Sequence, residues 1–304
     1  MLQTQEESVP LGHRERKKML LSQLKSLSAQ IVTDEDKIKA FAERWRSGFH
    51  DYSFANTLLI LWQYSGATLC AGMRQWNKKG RRIKKGSKAI WILAPSIHKM
   101  KVSNSPSPDE DQETEEDKET RVLRGFLNVM VFAYEQTEGK ELEIGNVLIT
   151  GPENITVELL SQAFDIPVEF TQGTFDGYTD GKKIAISRRK NKQQESACYL
   201  HELAHIMLGH SRGIGGKRSD ISQKQRELEA ESVSYIVGQC IGLDNEGAKY
   251  YLGHYSASDK SVQESAVHII STADKILRKL KPYVIEDTTQ KGGGVQPSLF
   301  PVSE

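Results

Sequence analysis

The sequence predicts an α+β chain in two domains. One is a basic helix-plus-sheet domain over about residues 1–140, and the other a helix-rich domain over 150–285 built around a metal-binding helix. Three observations carry that reading. A length of 304 residues suits two domains of about 150 residues each. Charge is segregated: 41 Lys+Arg and 40 Asp+Glu nearly cancel over the whole chain, yet Tyr52 to Pro108 holds ten cations and no acid. Finally, the second half carries His201-Glu202-Leu203-Ala204-His205 in a segment of helical periodicity.

Helices are expected first. Arg14–Leu27 and Asp34–Phe49 carry apolar residues at helical spacing, with Thr33-Asp34 as a cap. Asp51 or Ser53 suits the cap of a third helix, Phe54–Tyr64. Lys88–Leu93 reads as a strand leaving a Gly-rich basic loop, and Arg124–Ala133 as a β-rich run. Between them, Asp109 to Glu119 packs eight acids into eleven residues. That composition predicts a disordered acidic loop over about 103–120. Gly145, Gly151 and Pro152 punctuate the chain before a helix at Val157–Phe164. Gly177–Gly181 reads as a turn into a strand at Lys183–Ile186. Helices then follow at Gln193–Leu208 (closed by Gly209), Gln223–Ile241, Asn245–Tyr251 and Lys260–Leu280, before a flexible tail over 286–304.

Several classes drop out. The longest apolar run, Thr57–Trp62, is far short of the ~20 residues that cross a bilayer, so no membrane partner is expected. The N-terminus lacks the apolar core of a signal peptide, which points to the cytoplasm. Cys70, Cys198 and Cys240 are too few and too scattered for a disulfide framework.

The H-E-x-x-H carries the sharpest chemistry. Residues four apart sit about 40° apart around a helix, so His201 and His205 can reach one ion, expected to be Zn2+ or another divalent metal such as Mn2+. Glu202, at the edge of that face, is placed to take a proton from water at the site. A third ligand is needed. His210 falls one residue short of the spacing of the metzincin third histidine and suits a helix C-terminus better. Glu227 is the preferred ligand and Glu231, one turn on, the carboxylate that orients a histidine. Ser234 and Gly238 continue that face as small residues that permit close helix approach, and Glu229 projects away from it. Tyr250, Tyr251 and His254 are alternative oxyanion donors.

In the first half, Arg74, Trp76, Lys78, Lys79, Arg81, Arg82, Lys84, Lys85 and Lys88 set cations beside glycines and an aromatic ring. Phosphate attraction and base stacking together are what single-strand binders use, so single-stranded DNA is the expected partner. Trp62 and Trp91 are expected in the core.

Both halves resemble one family, the ArdC-type antirestriction proteins of mobile elements. The first half is similar through Tyr52-Ser53-x-x-Asn56, Trp76, Gly80-Arg81-x-Ile83-x-Lys85-Gly86 and the stretch from Val131-Phe132 to Gln136-Thr137-x-Gly139. The second is similar through Thr179-Asp180-Gly181, the H-E-x-x-H and Glu227-Leu228-x-Ala230-Glu231. The resemblance implies a single-stranded-DNA-binding N-terminal domain, a zincin-type metallopeptidase C-terminal domain with a protein substrate, and protection of incoming DNA from restriction. Two rivals stand beside it: a DNA-occluding protein with a structural metal, and an ImmA-like peptidase that cleaves a regulator. In the tail, Gln296, Leu299 and Phe300 resemble the pentapeptide that docks bacterial proteins on the sliding clamp, with Pro297 a departure from its usual Leu. The alternative is a tail whose Leu299 and Phe300 pack back on their own domain.

Overall fold

The computed structural model describes residues 11–49, 51–101, 119–142, 147–149, 152–172, 176–189, 191–210, 221–243 and 260–287. The acidic loop, the expected helix at 245–251 with Tyr250, Tyr251 and His254, and the tail with its clamp-like Gln296, Leu299 and Phe300 lie outside them.

Three helices open the chain: α1 (His13–Val32), α2 (Glu35–Arg44, continued by a π-helical turn Trp45–Phe49) and α3 (Phe54–Gln63). Asp34 accepts from the Lys37 amide and Ser53 from the Asn56 amide, so each short polar side chain satisfies an orphan N–H at its helix start. Asp51 is not a cap here; it pairs with Lys281. A short strand β1 (Cys70–Ala71), a helix α4 (Met73–Lys78) and β2 (Arg81–Ile83) lead to a long antiparallel hairpin, β3 (Ile90–Lys101) with β4 (Glu119–Ala133). β1 pairs with the end of β4, and β2 with β5 (Thr137–Gly139).

The hairpin has a cover that sequence periodicity does not announce. Asn56 donates to the Leu93 carbonyl and accepts from its amide, both at 2.9 Å, while Gln63 does the same for Trp91 at 2.8 and 3.0 Å. Two side-chain amides, seven residues apart on α3, thus stand in for a neighbouring strand.

The second half builds a three-stranded sheet in the order β7 (Val168–Thr171), β9 (Ile184–Ser187), β8 (Gly177–Thr179). β7 runs parallel to β9, and β8 forms an antiparallel edge. The stretch expected as a turn is therefore partly strand. Its turn is tightened by Asp180, which accepts from the Lys182 and Lys183 amides. Ahead of the sheet come β6 (Val147–Ile149), paired with the final strand β10 (Ile285–Asp287), and α5 (Val157–Phe164). Behind it stand α6 (Lys192–Leu208), α7 (Gln223–Ile241) and α8 (Lys260–Val284).

One apolar cluster runs through both halves, from Leu20, Phe41, Trp45 and Phe54 to Leu203, Tyr235, Ile276 and Leu280. Polar contacts cross the same boundary. Arg46 donates to the Gln239 carbonyl at 3.0 Å, and the buried Asp274 accepts from the Phe54 amide at 2.9 Å.

Candidate metal centre and nucleic-acid interface

α6 begins at Asn191, whose side chain accepts from the Gln193 amide, and ends at Gly209 in the left-handed region that lets the chain turn back. Its inner face buries Tyr199, Leu200, Leu203 and Ala204, which fixes the rotation of the helix and leaves His201 and His205 toward α7. α7 starts at Ser222, capping the Gln225 amide. Its first turns deliver Glu227 to the two imidazoles.

The geometry is close. Nε2 of His201 lies 3.2 Å from Nε2 of His205, and Glu227 Oε2 lies 3.5 Å from each. Three donor atoms with converging lone pairs repel one another unless a positive charge sits among them. Ligands at ~2.05 Å from a tetrahedral ion stand ~3.3 Å apart, so the triangle fits such an ion without rearrangement. The Glu227 side chain is 44% exposed, which leaves a side of the triangle open to solvent.

The electrostatics agree. Burial opposes the His201 imidazolium, but the hydrogen bonds to Glu227 and Glu231 outweigh it and raise the pKa to about 10. Glu227 is held far below the usual carboxylate range by its hydrogen bonds to His201 and His205. A proton thus takes the place of a cation when none is bound.

Each histidine is oriented from behind. His201 Nδ1 donates to Glu231 Oε2 at 2.8 Å, which turns Nε2 toward the triangle. His205 Nδ1 lies 3.1 Å from His210 Nδ1, and His210 Nε2 donates to Glu229 Oε2 at 3.1 Å. Glu229, fully buried, also accepts from the Ser265 hydroxyl on α8. With Glu229 as the acceptor, His210 carries its hydrogen on Nε2, His205 carries its hydrogen on Nδ1, and His205 Nε2 is left free for an ion.

This chain of contacts corrects the reading of His210 as a histidine answering a helix dipole. Just past Gly209 its ring folds back under His205. Glu229 does project away from Glu227, but into the core and onto His210. The contact pairs residues nineteen apart in sequence, across residues 211–220, so no local pattern marks it. Gly238 also has another role than helix approach: a Cβ there would lie 2.9 Å from the Leu243 carbonyl oxygen, where α7 closes on its own turn.

Glu202 sits on the opposite flank of α6, mostly buried, and burial raises its pKa. The edge strand β8 lies against it. A Cβ at Gly177 would come within 2.7 Å of Cys198 Sγ and 3.2 Å of Glu202 Cγ, so only glycine allows this approach. The Cys198 thiol, which sits 3.0 Å from the Asp176 carbonyl, is pushed up to about 12 by burial.

The basic segment separates into two groups. Trp76 is fully buried and donates from Nε1 to the Phe132 carbonyl at 2.9 Å, so it is a core residue and not a base stacker. Arg81 is buried too. Its guanidinium holds Thr137 Oγ1 at 2.8 Å and the Thr137 carbonyl at 3.1 Å, and lies over the Tyr134 ring, so it pins β2 to β5 and cannot reach a phosphate. Arg82 is ion-paired to Glu138 at 2.8 Å, and Lys84 Nζ donates to the Glu135 carbonyl at 2.9 Å. Lys79 is half-buried, and burial lowers its pKa. Arg74, Lys78, Lys85 and Lys88 are exposed. Trp62, expected in the core, is 43% exposed because it faces away from the hairpin-covering side of α3. Trp91 is half-buried beneath the Arg16 guanidinium, 4.0 Å above its ring.

Residues 13–132 match the family model described as the N-terminal domain of anti-restriction factor ArdC. This is an ArdC-type chain. It is also similar to an uncharacterized protein of Bacillus anthracis, 24% identical over 319 residues, which cover 87% of this chain and 54% of that protein. The chain thus spans about half the length of that curated relative. Among solved structures, the antirestriction ArdC protein of plasmid R388 aligns in its metal-free form over 83% of this chain and 96% of that one, at 16% identity and a TM-score of 0.47. Its Mn(II)-bound form covers 84% and 96%, at 17% identity and a TM-score of 0.41. The ArdC-type match ends at Phe132, so the centre on α6 and α7 rests on its own geometry.

Proposed function

We propose that this ArdC-type chain binds single-stranded DNA through its N-terminal region and that its C-terminal region is a metallopeptidase holding one divalent cation, zinc or manganese, on His201, His205 and Glu227. The observation that carries the reading is the triangle of donor atoms, 3.2, 3.5 and 3.5 Å on its sides. Three protein ligands with an open side are the mark of a catalytic site, whereas structural zinc is closed by four.

A cation bound there supplies Lewis acidity to water and to a peptide carbonyl. The chain's own residues do the rest. Glu231 holds His201, and His210 with Glu229 holds His205, so both Nε2 lone pairs stay on target. Glu202, whose proton affinity is raised by burial, accepts a proton from the attacking water and returns it to the leaving amine as the C–N bond breaks. The edge strand β8, packed on Glu202 through Gly177, offers backbone groups along which an extended peptide can align.

DNA binding rests on the ArdC-type N-terminal domain and on the exposed cations Arg74, Lys78, Lys85 and Lys88, which attract phosphate without sequence preference. No helix among the described residues is long and apolar enough to cross a membrane; we assign the protein to the cytoplasm. Clamp docking by residues 296–300 is a separate proposal, tested by titrating the peptide 291–304 against purified clamp.

The test of the main reading is a pair of measurements on full-length protein. Metal analysis after dialysis should return one divalent ion per chain. Glu202→Gln should keep that ion and lose metal-dependent cleavage of candidate proteins. A wild type that retains no ion would remove the site assignment. An ion retained with no cleavage by wild type, across substrates and with or without DNA, would favour the DNA-occluding rival.

A further inference from the structure

With Trp76 in the core, the basic loop has cations but no aromatic face to offer a base. The hairpin supplies one. Strand partners directly opposite share a face, so Trp91 with Met130, Leu93 with Asn128 and Pro95 with Phe126 form one surface. On it Phe126 is 44% and Met130 50% exposed. These two are about 13 Å apart along β4.

α1 borders the same surface. Arg16 lies over Trp91, and Lys17 Nζ comes within 3.9 Å of the Cβ position of Gly125 on β4. Arg14, Lys18, Leu21 and Lys25 are all exposed and recur at i, i+4, i+7 and i+11, within an arc of about 60° on the helix. That stripe runs for about 16 Å, much the same length as the apolar row beside it. Between Phe126 and Met130 sits Asn128, buried, with neither Nδ2 nor Oδ1 given a partner. An amide left dry is costly, and a base edge carries the matching donor and acceptor.

We propose that single-stranded DNA lies along this face, with bases on Phe126, Met130 and Trp91 and phosphates along Arg14, Lys18 and Lys25. The inference rests on the single-strand reading above and names its site. A row of exposed apolar side chains beside a row of cations is the pairing that sequence-tolerant single-strand binding uses. The stripe of cations selects a polyanion over an apolar partner.

The experiment uses the full chain and a labelled oligo(dT), read by fluorescence anisotropy across a salt series. Phe126→Ala with Met130→Ala should weaken binding by about tenfold or more. Arg14→Ala, Lys18→Ala and Lys25→Ala together should flatten the log–log salt slope by about two units, at ~0.7 per phosphate contact. Leu127→Ala, 48% exposed on the opposite face of β4, should bind as wild type does. Ultraviolet cross-linking of the wild type to oligo(dT) should place the adduct on Trp91 or Phe126, a readout that needs no variant to fold. No binding by wild type would overturn this site together with the single-strand reading. Wild-type binding that survives both hairpin and α1 substitutions, with adducts elsewhere, would overturn this site alone and leave the reading standing.

Discussion

The metal centre and the basic loop at residues 74–88 are both polar and both sit at the surface, yet they are built on opposite plans. At the centre every histidine nitrogen is accounted for, and the orienting partners reach back to a fully buried carboxylate, Glu229. In the loop the exposed cations sit on long, mobile stems, while the two residues that are fixed, Trp76 and Arg81, hold the sheet. The difference follows from what each task requires. An ion accepts donors only within a few tenths of an ångström, whereas a phosphate chain responds to charge at a distance. Rigidity at one site and looseness at the other are both functional.

The comparison breaks first at a ligand. His205→Ala should abolish stoichiometric metal retention, seen by metal analysis of dialysed protein, while leaving oligo(dT) affinity within about twofold. Trp76→Ala is the counterpart on the other side. Removing a fully buried indole costs about 3–5 kcal/mol, so the thermal midpoint should fall by many degrees. Arg81→Ala should act in the same direction, and neither should alter the salt slope of whatever folded protein remains.

A finer cut comes from the partners behind the ligands. Glu229→Gln should weaken metal affinity by about 10–100-fold in a chelator competition, because His210 loses the acceptor that fixes its tautomer. An unchanged affinity would mean that the relay is packing only. Acidity probes the same network. The His201 pKa is raised to about 10 in the metal-free centre, so below that pH the ion must displace a proton. Affinity should therefore rise with pH, by about tenfold per unit near neutrality for one proton released, and fall as acid is added. The smallest effect belongs to the loop. Lys84→Ala with Lys85→Ala should flatten the salt slope by about one unit with little change in thermal midpoint, since only the Lys84 bond to the Glu135 carbonyl is lost.

Much of the α+β architecture is legible in the sequence because its signals are local. Asp34 and Ser53 announce helix starts, Gly209 a stop, and the spacing of Glu227 and Glu231 puts two carboxylates on one face of α7. What is not legible depends on distant partners. Trp76 and Arg81 have the composition of a stacking, phosphate-binding loop, and only the Phe132 and Thr137 groups they meet make them core. Trp62 looks apolar enough to bury, but Gln63 and Asn56 define which side of α3 meets the hairpin. β3 continues beyond Leu93 because β4 pairs with it, not because Pro95 and Ser96 favour strand. His210 and Glu229 find each other through the return of the chain, and β7 is too short to show a period.

The two amides of α3 have a consequence for what the hairpin can accept. A bare strand edge invites another chain to extend the sheet. Here the rim of β3 at Trp91 and Leu93 is already plugged by Gln63 and Asn56, and the base of β4 is occupied by β1 at Cys70 and Ala71. An incoming polymer at that level has no free ladder to join. It can approach only broadside, onto the flat of the ribbon, where side chains rather than backbone decide what is held.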